Sequence, residues 1–262
     1  MAGYEHLRVE RKDAVATVEL ARPDARNSLN AGLIRELTRS MEDLAEDDGV
    51  RVVVLTGEGD FFCAGADIGY MRETVEYSYK ENLADARGLA AMFRAVEECP
   101  KPVVAAVKGA AIGGGVGLVA AVDVAVAEEG TVFAFTEVRL GISPATIAPF
   151  VLRKIGYSHT RALFLAGGRF DAEKAQMIGL VHDVAQSGEL NAVVEEAGSR
   201  LLKGGPEALA STKALLRELR NAPPCEVTEI TARRIVELRA GEEGQEGLRA
   251  FLDKREPAWR EA

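Results

Sequence analysis

Residues 103–118 read VVAAVKGAAIGGGVGL, an apolar run that passes directly into a glycine-rich segment. Val103–Val107 is short, uncharged and rich in β-branched residues, which is typical of a strand buried on both faces. Gly109 and the four glycines within positions 113–117 then favour a tight loop. A second apolar run, Val52–Leu55, is also followed by a glycine. Strands buried on both faces need covering layers on both sides, so this stretch predicts an α/β core.

Strand and helix patterns alternate on both sides of this stretch. Asn30 stands before an apolar stripe with helical spacing and predicts the N-terminal cap of an amphipathic helix. A second helical stripe runs over residues 80–98 and ends before Pro100. Further apolar runs predict strands at Val15–Leu20 and Val122–Ala127. The alternation predicts an α/β fold with mostly parallel strand pairing.

The pattern changes after about Asp171, where buried β runs nearly vanish. Helical stripes dominate from there on. They predict an α/β core over residues 1–190 and a helical C-terminal region over residues 191–262. The helices predicted after Asp171 are Ala172–Ile178, Glu189–Leu202, Pro206–Arg220, Val227–Ala240 and Gln245–Arg255.

The composition excludes several classes of protein. Of the 262 residues, 47% are hydrophobic, which is enough for a sizeable core and excludes a disordered chain. The 32 Lys and Arg face 41 Asp and Glu, and this net charge of −9 argues against a nucleic-acid partner. No apolar stretch reaches the ~20 residues of a membrane span. The N-terminus lacks the apolar segment of a signal peptide, so Cys63, Cys99 and Cys225 are expected to be reduced thiols in a cytoplasmic protein.

Several catalytic patterns are excluded by spacing. His6, His159 and His182 are far apart and none stands in a zinc-binding motif, so no metal site is predicted. Residues 141–145 lack the second glycine of a nucleophile elbow, and a proline follows their serine, which argues against a serine hydrolase. The glycines after Val107 do not form a dinucleotide-binding fingerprint either.

Two segments with small residues follow the buried strands: Phe61–Ile68 (FFCAGADI) and Gly109–Leu118 (GAAIGGGVGL). We call them the first and the second glycine loop. Each leads from a strand end toward a helix start, where free backbone N–H groups stabilise negative charge. Together they can supply two N–H donors to one oxygen, which is an oxyanion hole. The alternative, from spacing alone, is that the glycines only permit close helix packing.

Glu137 stands in a mostly apolar surround, between a predicted short strand and a Gly/Pro turn. Two interpretations are open for this carboxylate. It is either a surface charge paired with Arg139, or a general acid/base whose pKa is raised by desolvation.

The glycine loops and Glu137 together resemble the enoyl-CoA hydratase/isomerase family, the crotonases, and the resemblance runs along nearly the whole chain. The matching segments are RPDARNSLN at 22–30, FFCAGADI at 61–68, KGAAIGGGVGL at 108–118, TEVRLGISP at 136–144, AEKAQMIGLV at 172–181 and AFLDKREPAW at 250–259. The resemblance implies a spiral of β-β-α turns. It also implies a helical C-terminal region that builds homotrimers or hexamers, the latter as dimers of trimers.

The resemblance further implies a chemistry. Crotonases hold the carbonyl oxygen of an acyl-CoA thioester in two backbone N–H bonds while the thioester becomes an enolate. The donors match Ala66 and Gly114 here, and the acid/base glutamate matches Glu137. Coenzyme A is part of the substrate, so no separate cofactor is implied. The residues matched to substrate binding are Arg26, Ala64, Ala66, Asp67, Ile68, Gly114 and Lys254, and Asp67 is also expected to cap a helix.

Gly117 departs from the family pattern, because hydratases of this family usually carry a second glutamate there. One carboxylate suits double-bond isomerisation. The segment Glu137–Val151 (EVRLGISPATIAPFV) nevertheless resembles the methylglutaconyl-CoA and isohexenylglutaconyl-CoA hydratases of leucine and acyclic-terpene breakdown. We therefore predict hydration of a branched glutaconyl-type enoyl-CoA, with Gly117 leaving space for the acyl group. An enoyl-CoA Δ3-Δ2 isomerase and a non-catalytic acyl-CoA-binding protein remain the alternatives.

Overall fold

A computed structural model describes residues 3–260, which form two β-sheets and ten α-helices. The strands are β1 Leu7–Lys12, β2 Val15–Leu20, β3 Val52–Gly57, β4 Val103–Val107, β5 Ala110–Ile112, β6 Val124–Glu128, β7 Val132–Ala134, β8 Arg169–Phe170 and β9 Asp183–Ala185. The larger sheet has the order β1-β2-β3-β4-β6-β9, and its pairs are parallel except β1-β2. The smaller sheet has the order β5-β7-β8.

The helices alternate with the strands in the first part of the chain and follow one another after β9. They are α1 Ala31–Glu46, α2 Ile68–Val75, α3 Tyr79–Glu98, α4 Gly114–Ala121, α5 Ala148–Ala166, α6 Ala172–Met177, α7 Leu190–Leu202, α8 Pro206–Leu219, α9 Val227–Ala240 and α10 Glu242–Asp253. Within the described range, none of them is long and apolar enough to cross a membrane. Asn30 caps α1 as predicted, since its side chain accepts from the Leu33 N–H at 2.8 Å.

The central strands are buried on both faces, as their sequences predict. Every residue of β4 is buried, and β3 pairs with it in parallel with Val53 opposite Val103. Helices α1 and α3 pack together over one face of the sheet, and α7 covers the other. Burial of one Val side chain contributes about 1.5–3 kcal/mol. These layers therefore fix the strand ends from which the two glycine loops leave.

The predicted α/β fold with parallel pairing is confirmed, and so is the series of helices after Asp171. The short strand predicted before Glu137 corresponds to β7, whereas β1, β5, β8, β9 and the long helix α5 have no counterpart in the sequence predictions. Strands of two or three residues are too short to show a period. The backbone of α5 leaves the helical conformation at Gly156, where φ is 74°, so its pattern is interrupted.

The C-terminal helices form a layer of their own, in which α8, α9 and α10 pack on one another. Arg51, just before β3, ties this layer to the core. Its guanidinium donates to the carbonyls of Leu202 and Gly204 at 2.9 and 2.6 Å and to that of Trp259 at 2.6 Å. The division of the chain at residue 190 stays a prediction.

Candidate active site

The two glycine loops run side by side in parallel. Ile112 N donates to Cys63 O at 3.0 Å, within a parallel bridge between Cys63 and Ala111. Ala66 and Gly114 each lie three residues beyond this bridge. A β-carbon on Gly65 would lie 3.0 Å from Ile112 O, so the two loops stay in contact up to Gly65, the residue directly before the first predicted donor.

The backbone N–H groups of Ala66 and Gly114 are free to bind a ligand. Ala66 forms a parallel bridge with Leu29. The bonds of this bridge are made by the flanking Gly65 O and Asp67 N, so the N–H of Ala66 points away from it. Gly114 is the first residue of α4, where N–H groups have no acceptor inside the helix. Among residues 3–260, neither N–H has an acceptor.

Asp67 holds the first glycine loop in place. Its Oδ1 accepts from the N–H groups of Gly69 and Tyr70, which caps α2 as predicted. Its Oδ2 pairs with Arg22 Nη2 at 2.9 Å, and each of these two side chains is 17% exposed. Burial disfavours the ionised carboxylate, but these bonds outweigh it and hold the pKa of Asp67 below its ordinary value. The first donor is therefore positioned by a charged network.

Close packing holds the second glycine loop. A β-carbon on Gly115 would lie 2.4 Å from Cys63 O, closer than real side chains approach a carbonyl, so only glycine fits there. Gly113 adopts a φ of 50°, and its N–H donates to Ala134 O at 2.8 Å, which fastens the loop to β7. The packing interpretation is thus correct for Gly115, while the neighbouring Gly114 keeps a free N–H.

The carboxylate of Glu137 lies against the start of α4. A β-carbon on Gly113 would be 2.9 Å from Glu137 Oε1, and Gly113 directly precedes Gly114. The other oxygen, Oε2, is buried and has no hydrogen-bond partner in the part of the chain that the structure describes. Burial raises the pKa of Glu137 above its ordinary value, with its own backbone N–H acting weakly the other way. Within residues 3–260 no ion pair joins it to Arg139, so the surface-pair interpretation is wrong.

The space beside Gly117 is filled, and the prediction that this glycine leaves room for the acyl group is wrong. A β-carbon there would lie 2.3 Å from Ile147 Cγ2 and 2.9 Å from Phe93 Cε1. Ile147 is 2% exposed and Phe93 is fully buried. Position 117 is glycine because these two apolar side chains close on α4 at this point, and we call the pair the hydrocarbon wall.

The structure gathers most of the predicted substrate-binding residues near the first glycine loop. Ala64 N donates to Arg26 O at 3.0 Å, and the exposed Arg26 guanidinium lies 5.2 Å from the centroid of the Phe61 ring. Ile68, the first residue of α2, is 70% exposed. Lys254 is exposed at the end of α10, which packs on α8 and α9. Lys254 therefore belongs to the layer of C-terminal helices, unlike the predicted residues near the first glycine loop.

Three residues around the site have no functional prediction from the sequence: Arg22, Phe93 and Ile147. Arg22 lies in the matched segment at 22–30, and that position was the available signal. Phe93 belongs to the helical stripe of α3, which indicates only core packing, and nothing local marks Ile147. The described residues contain no group of three His, Cys, Asp or Glu side chains that could hold a metal ion.

The fold and the site define a class of protein. A parallel α/β core presents two unpartnered backbone N–H groups on paired loops, beside a buried carboxylate at the start of one helix. This arrangement suits enzymes that stabilise negative charge on a carbonyl oxygen while one side chain transfers a proton.

Comparison with known proteins identifies the family. The sequence model of the enoyl-CoA hydratase/isomerase family matches residues 10–262. The 2,3-dehydroadipyl-CoA hydratase of Escherichia coli is 34% identical over 252 residues, which cover 96% of this chain and 97% of that protein. The crotonyl-CoA hydratase of Syntrophomonas wolfei is 32% identical over 254 residues, with 96% of each chain covered.

The crystal structure of an enoyl-CoA hydratase from Shewanella pealeana superimposes with a TM-score of 0.94 at 35% identity, covering 97% of this chain and 96% of that one. The chain therefore belongs to the enoyl-CoA hydratase/isomerase family, the crotonases, and has their fold.

Proposed function

We propose that this protein is an enoyl-CoA hydratase with Glu137 as its single acid/base and the N–H groups of Ala66 and Gly114 as its oxyanion hole. One observation carries the proposal. The carboxylate of Glu137, whose Oε2 is buried and has no hydrogen-bond partner among residues 3–260, lies against Gly113, next to the unpartnered N–H of Gly114. An unsatisfied buried polar group costs about 1–3 kcal/mol. The carbonyl oxygen of a thioester bound here would accept from the N–H of Gly114, and the attacking water would donate to Glu137 Oε2.

One carboxylate suffices for the hydration. Glu137 accepts a proton from water while the water oxygen bonds to the β-carbon of the enoyl group, and the π electrons move onto the thioester oxygen. The resulting enolate oxygen is stabilised by the two N–H groups and by the positive end of the α4 dipole. Glu137 then gives the proton to the α-carbon, and the thioester carbonyl forms again.

We further propose that the acyl chain ends in a free carboxylate, as in branched glutaconyl thioesters. Ile147 and Phe93 close position 117 with hydrocarbon, so an acidic acyl group meets one negative charge, that of Glu137, instead of two. Two like charges in a poorly solvated pocket repel strongly. The Escherichia coli relative is also named for the thioester of a dicarboxylic acid.

A substrate panel tests the proposal. The purified protein is assayed with methylglutaconyl-CoA, 2,3-dehydroadipyl-CoA and crotonyl-CoA, by the loss of the enoyl thioester absorbance. We expect kcat/KM for the acidic thioesters to exceed that for crotonyl-CoA by roughly tenfold, the discrimination that about 1.4 kcal/mol gives. A preference for crotonyl-CoA contradicts the acidic acyl group, and no turnover of any of them favours the non-catalytic acyl-CoA-binding alternative.

The second candidate is Δ3-Δ2 isomerisation, which the hydrocarbon wall favours because one carboxylate can move a proton between the α- and γ-carbons. Turnover in ¹⁸O-labelled water separates the two reactions. A hydratase incorporates the label at the β-carbon. Unlabelled product together with migration of the double bond establishes the isomerase.

We also propose that the protein assembles as a homotrimer or a hexamer. Leu248, Phe251 and Leu252 lie on one face of α10 and are 47%, 81% and 75% exposed. Association would bury this apolar face. Light scattering on the eluting protein measures the mass, and a monomer contradicts the proposal.

A further inference from the structure

A cavity of about 180 Å³ lies at the C-terminal end of α4, away from the donor Gly114. The end of α4, α5 and α8 form its walls. Five cationic side chains line it, although the chain carries a net charge of −9: Arg153, Lys154, Lys213, Arg217 and Arg220. The acidic side chains of the lining are Glu97 and Asp123.

The two carboxylates neutralise three of these cations. Glu97 Oε1 pairs with Arg153 at 2.7 Å and with Arg220 at 2.8 Å. Asp123 Oδ2 pairs with Lys213 Nζ at 2.5 Å and also accepts a backbone N–H, which gives this carboxylate a structural role. Both acids are therefore already engaged.

Neither Lys154 nor Arg217 forms an ion pair among residues 3–260, although the charge of Asp123 partly offsets the effect of burial on the pKa of Lys154. Lys154 Nζ donates to Val122 O at 2.9 Å, and burial lowers the pKa of Lys154 to about 8. Arg217 Nη1 is buried and has no hydrogen-bond partner in the described chain. Buried donors in folded proteins nearly always have an acceptor in the protein or in ordered solvent, so the acceptor of Arg217 Nη1 comes from the cavity.

The spacing of the cations on α8 also indicates that the cavity concentrates positive charge. Lys213, Arg217 and Arg220 lie on one face of the helix, and like charges four residues apart destabilise a helix. Lys154 has a structural explanation, because its ammonium binds a carbonyl at the C-terminal end of α4. That explanation does not extend to Arg217.

We propose that this cavity binds a small phosphate-type oxyanion, with Arg217 as its central donor and Lys154 as the second cation. A guanidinium offers parallel N–H groups that match the oxygens of phosphate or sulfate. The volume admits a tetrahedral oxyanion with water, since one water takes about 30 Å³ in the liquid. The site is built without the glycine loops or Glu137, so it does not depend on the proposed reaction.

Calorimetric titration of inorganic phosphate into the intact protein, with chloride as the matched salt, tests the site. We expect saturable binding, weakened at least tenfold in Arg217→Gln. The control is Arg200→Gln, which removes an exposed arginine on α7 and the same charge, and it should bind phosphate as the unchanged protein does. Absence of saturable binding, or equal binding by both variants, overturns the proposal. If Arg217→Gln does not fold, Arg217→Lys replaces it in the titration, and this variant should bind phosphate more weakly than the unchanged protein.

Two further experiments locate the bound anion and identify the molecule that supplies it. In crystals soaked in selenate, the anomalous signal should lie within hydrogen-bonding distance of Arg217 Nη1, and a signal confined to other places contradicts the site. Coenzyme A and dephospho-coenzyme A are titrated in parallel. If Arg217→Gln weakens coenzyme A binding but leaves inorganic phosphate unaffected, the site for a free oxyanion is rejected.

Discussion

The two glycine loops each present one backbone N–H, but different forces hold them. The first loop carries its donor at an exposed residue, Ala66, and is held by the ion pair of Asp67 with Arg22. The second loop carries its donor at the half-buried Gly114 and is held by contacts such as that of Gly115 with a carbonyl oxygen. Ionic contacts near the surface tolerate changes in size and respond to charge, whereas close packing tolerates neither added volume nor charge.

The difference fits the positions of the loops. The first loop lies at the surface, where its donor residue is exposed and a polar network can hold it. The second loop lies against the core, where the carboxylate of Glu137 is desolvated. Changes in the second loop are therefore expected to have larger effects than changes in the network of the first.

The largest effect is expected from Glu137→Gln, beside the second glycine loop. Removal of a general acid/base lowers kcat by about 10²–10⁴-fold. Because burial raises the pKa of Glu137 above the ordinary 4.5, the rise of kcat/KM with pH should lie above pH 4.5, where the carboxylate form is gained, and it should vanish in the variant. Steady-state kinetics across pH measure both effects. Near-normal turnover by a folded Glu137→Gln protein contradicts the assignment.

The second expected effect concerns the donor at Gly114. Gly114→Pro removes the N–H at a first helical position, where proline is tolerated, and should lower kcat by about 10²–10³-fold. Gly114→Ala is the matched control, because it keeps the N–H and adds the same β-carbon, which meets Leu29 Cδ1 at 2.7 Å in both variants. Equal losses in the two variants, with unchanged circular dichroism, identify a packing glycine instead.

The third effect tests the packing beside the second loop. Gly117→Ala places a β-carbon 2.3 Å from Ile147 Cγ2 and should lower the free energy of unfolding by about 1–3 kcal/mol. Gly117→Ala should cost less in a chain that already carries Ile147→Ala, because the methyl group it meets is then absent. Gly117→Glu should destabilise more than Gly117→Ala, because it also buries a charge. Gly198→Ala is the control: its β-carbon meets no atom within 4 Å, and it should stabilise α7 by about 0.4–1 kcal/mol. Denaturant titration measures the free energy of unfolding of each variant, and unchanged stability of Gly117→Ala contradicts the hydrocarbon wall.

The smallest effect is expected on the first loop. Arg22→Gln removes the charged partner of Asp67 and should lower kcat about tenfold, since a loss of ~1.4 kcal/mol in the transition state has that effect. Arg22→Lys should restore much of kcat while KM changes little. Arg8→Gln removes an exposed pair with Glu58 and serves as the control. A fall in stability with unchanged kcat would make Arg22 a purely structural residue.

The pH dependence of stability is a second test of the ion pair between Asp67 and Arg22. The folded pKa of Asp67 lies below its ordinary 3.8, so its contribution is present above that pH and is lost as pH falls through the folded value. Asp67→Asn should therefore be less stable than the unchanged protein at neutral pH and lose less stability on acidification. If the free energy of unfolding changes with pH equally in the two proteins, this linkage is excluded.

Much of the molecule follows from local sequence. The uncharged run of β4, the helical stripe after Asn30 and the glycines at the strand ends are short-range patterns, and they predict the parallel α/β core and both loops. Motif order along the chain leads to the family and to Glu137 as the candidate acid/base. These features need only neighbours within a few residues, because burial on one or both faces imposes the period of the strand or helix.

Only the tertiary structure decided what surrounds these residues. Ile147 and Phe93 reach Gly117 from other helices and loops, which reverses the inference that the glycine leaves an open space. The pairing of Arg22 with Asp67, and the isolation of Arg217 among the cations of α5 and α8, likewise join residues far apart in the chain. Periodicity reports which face of an element is buried, but not which distant side chain fills a given volume or neutralises a given charge. That choice is made by close packing and by the cost of leaving buried polar groups unpaired.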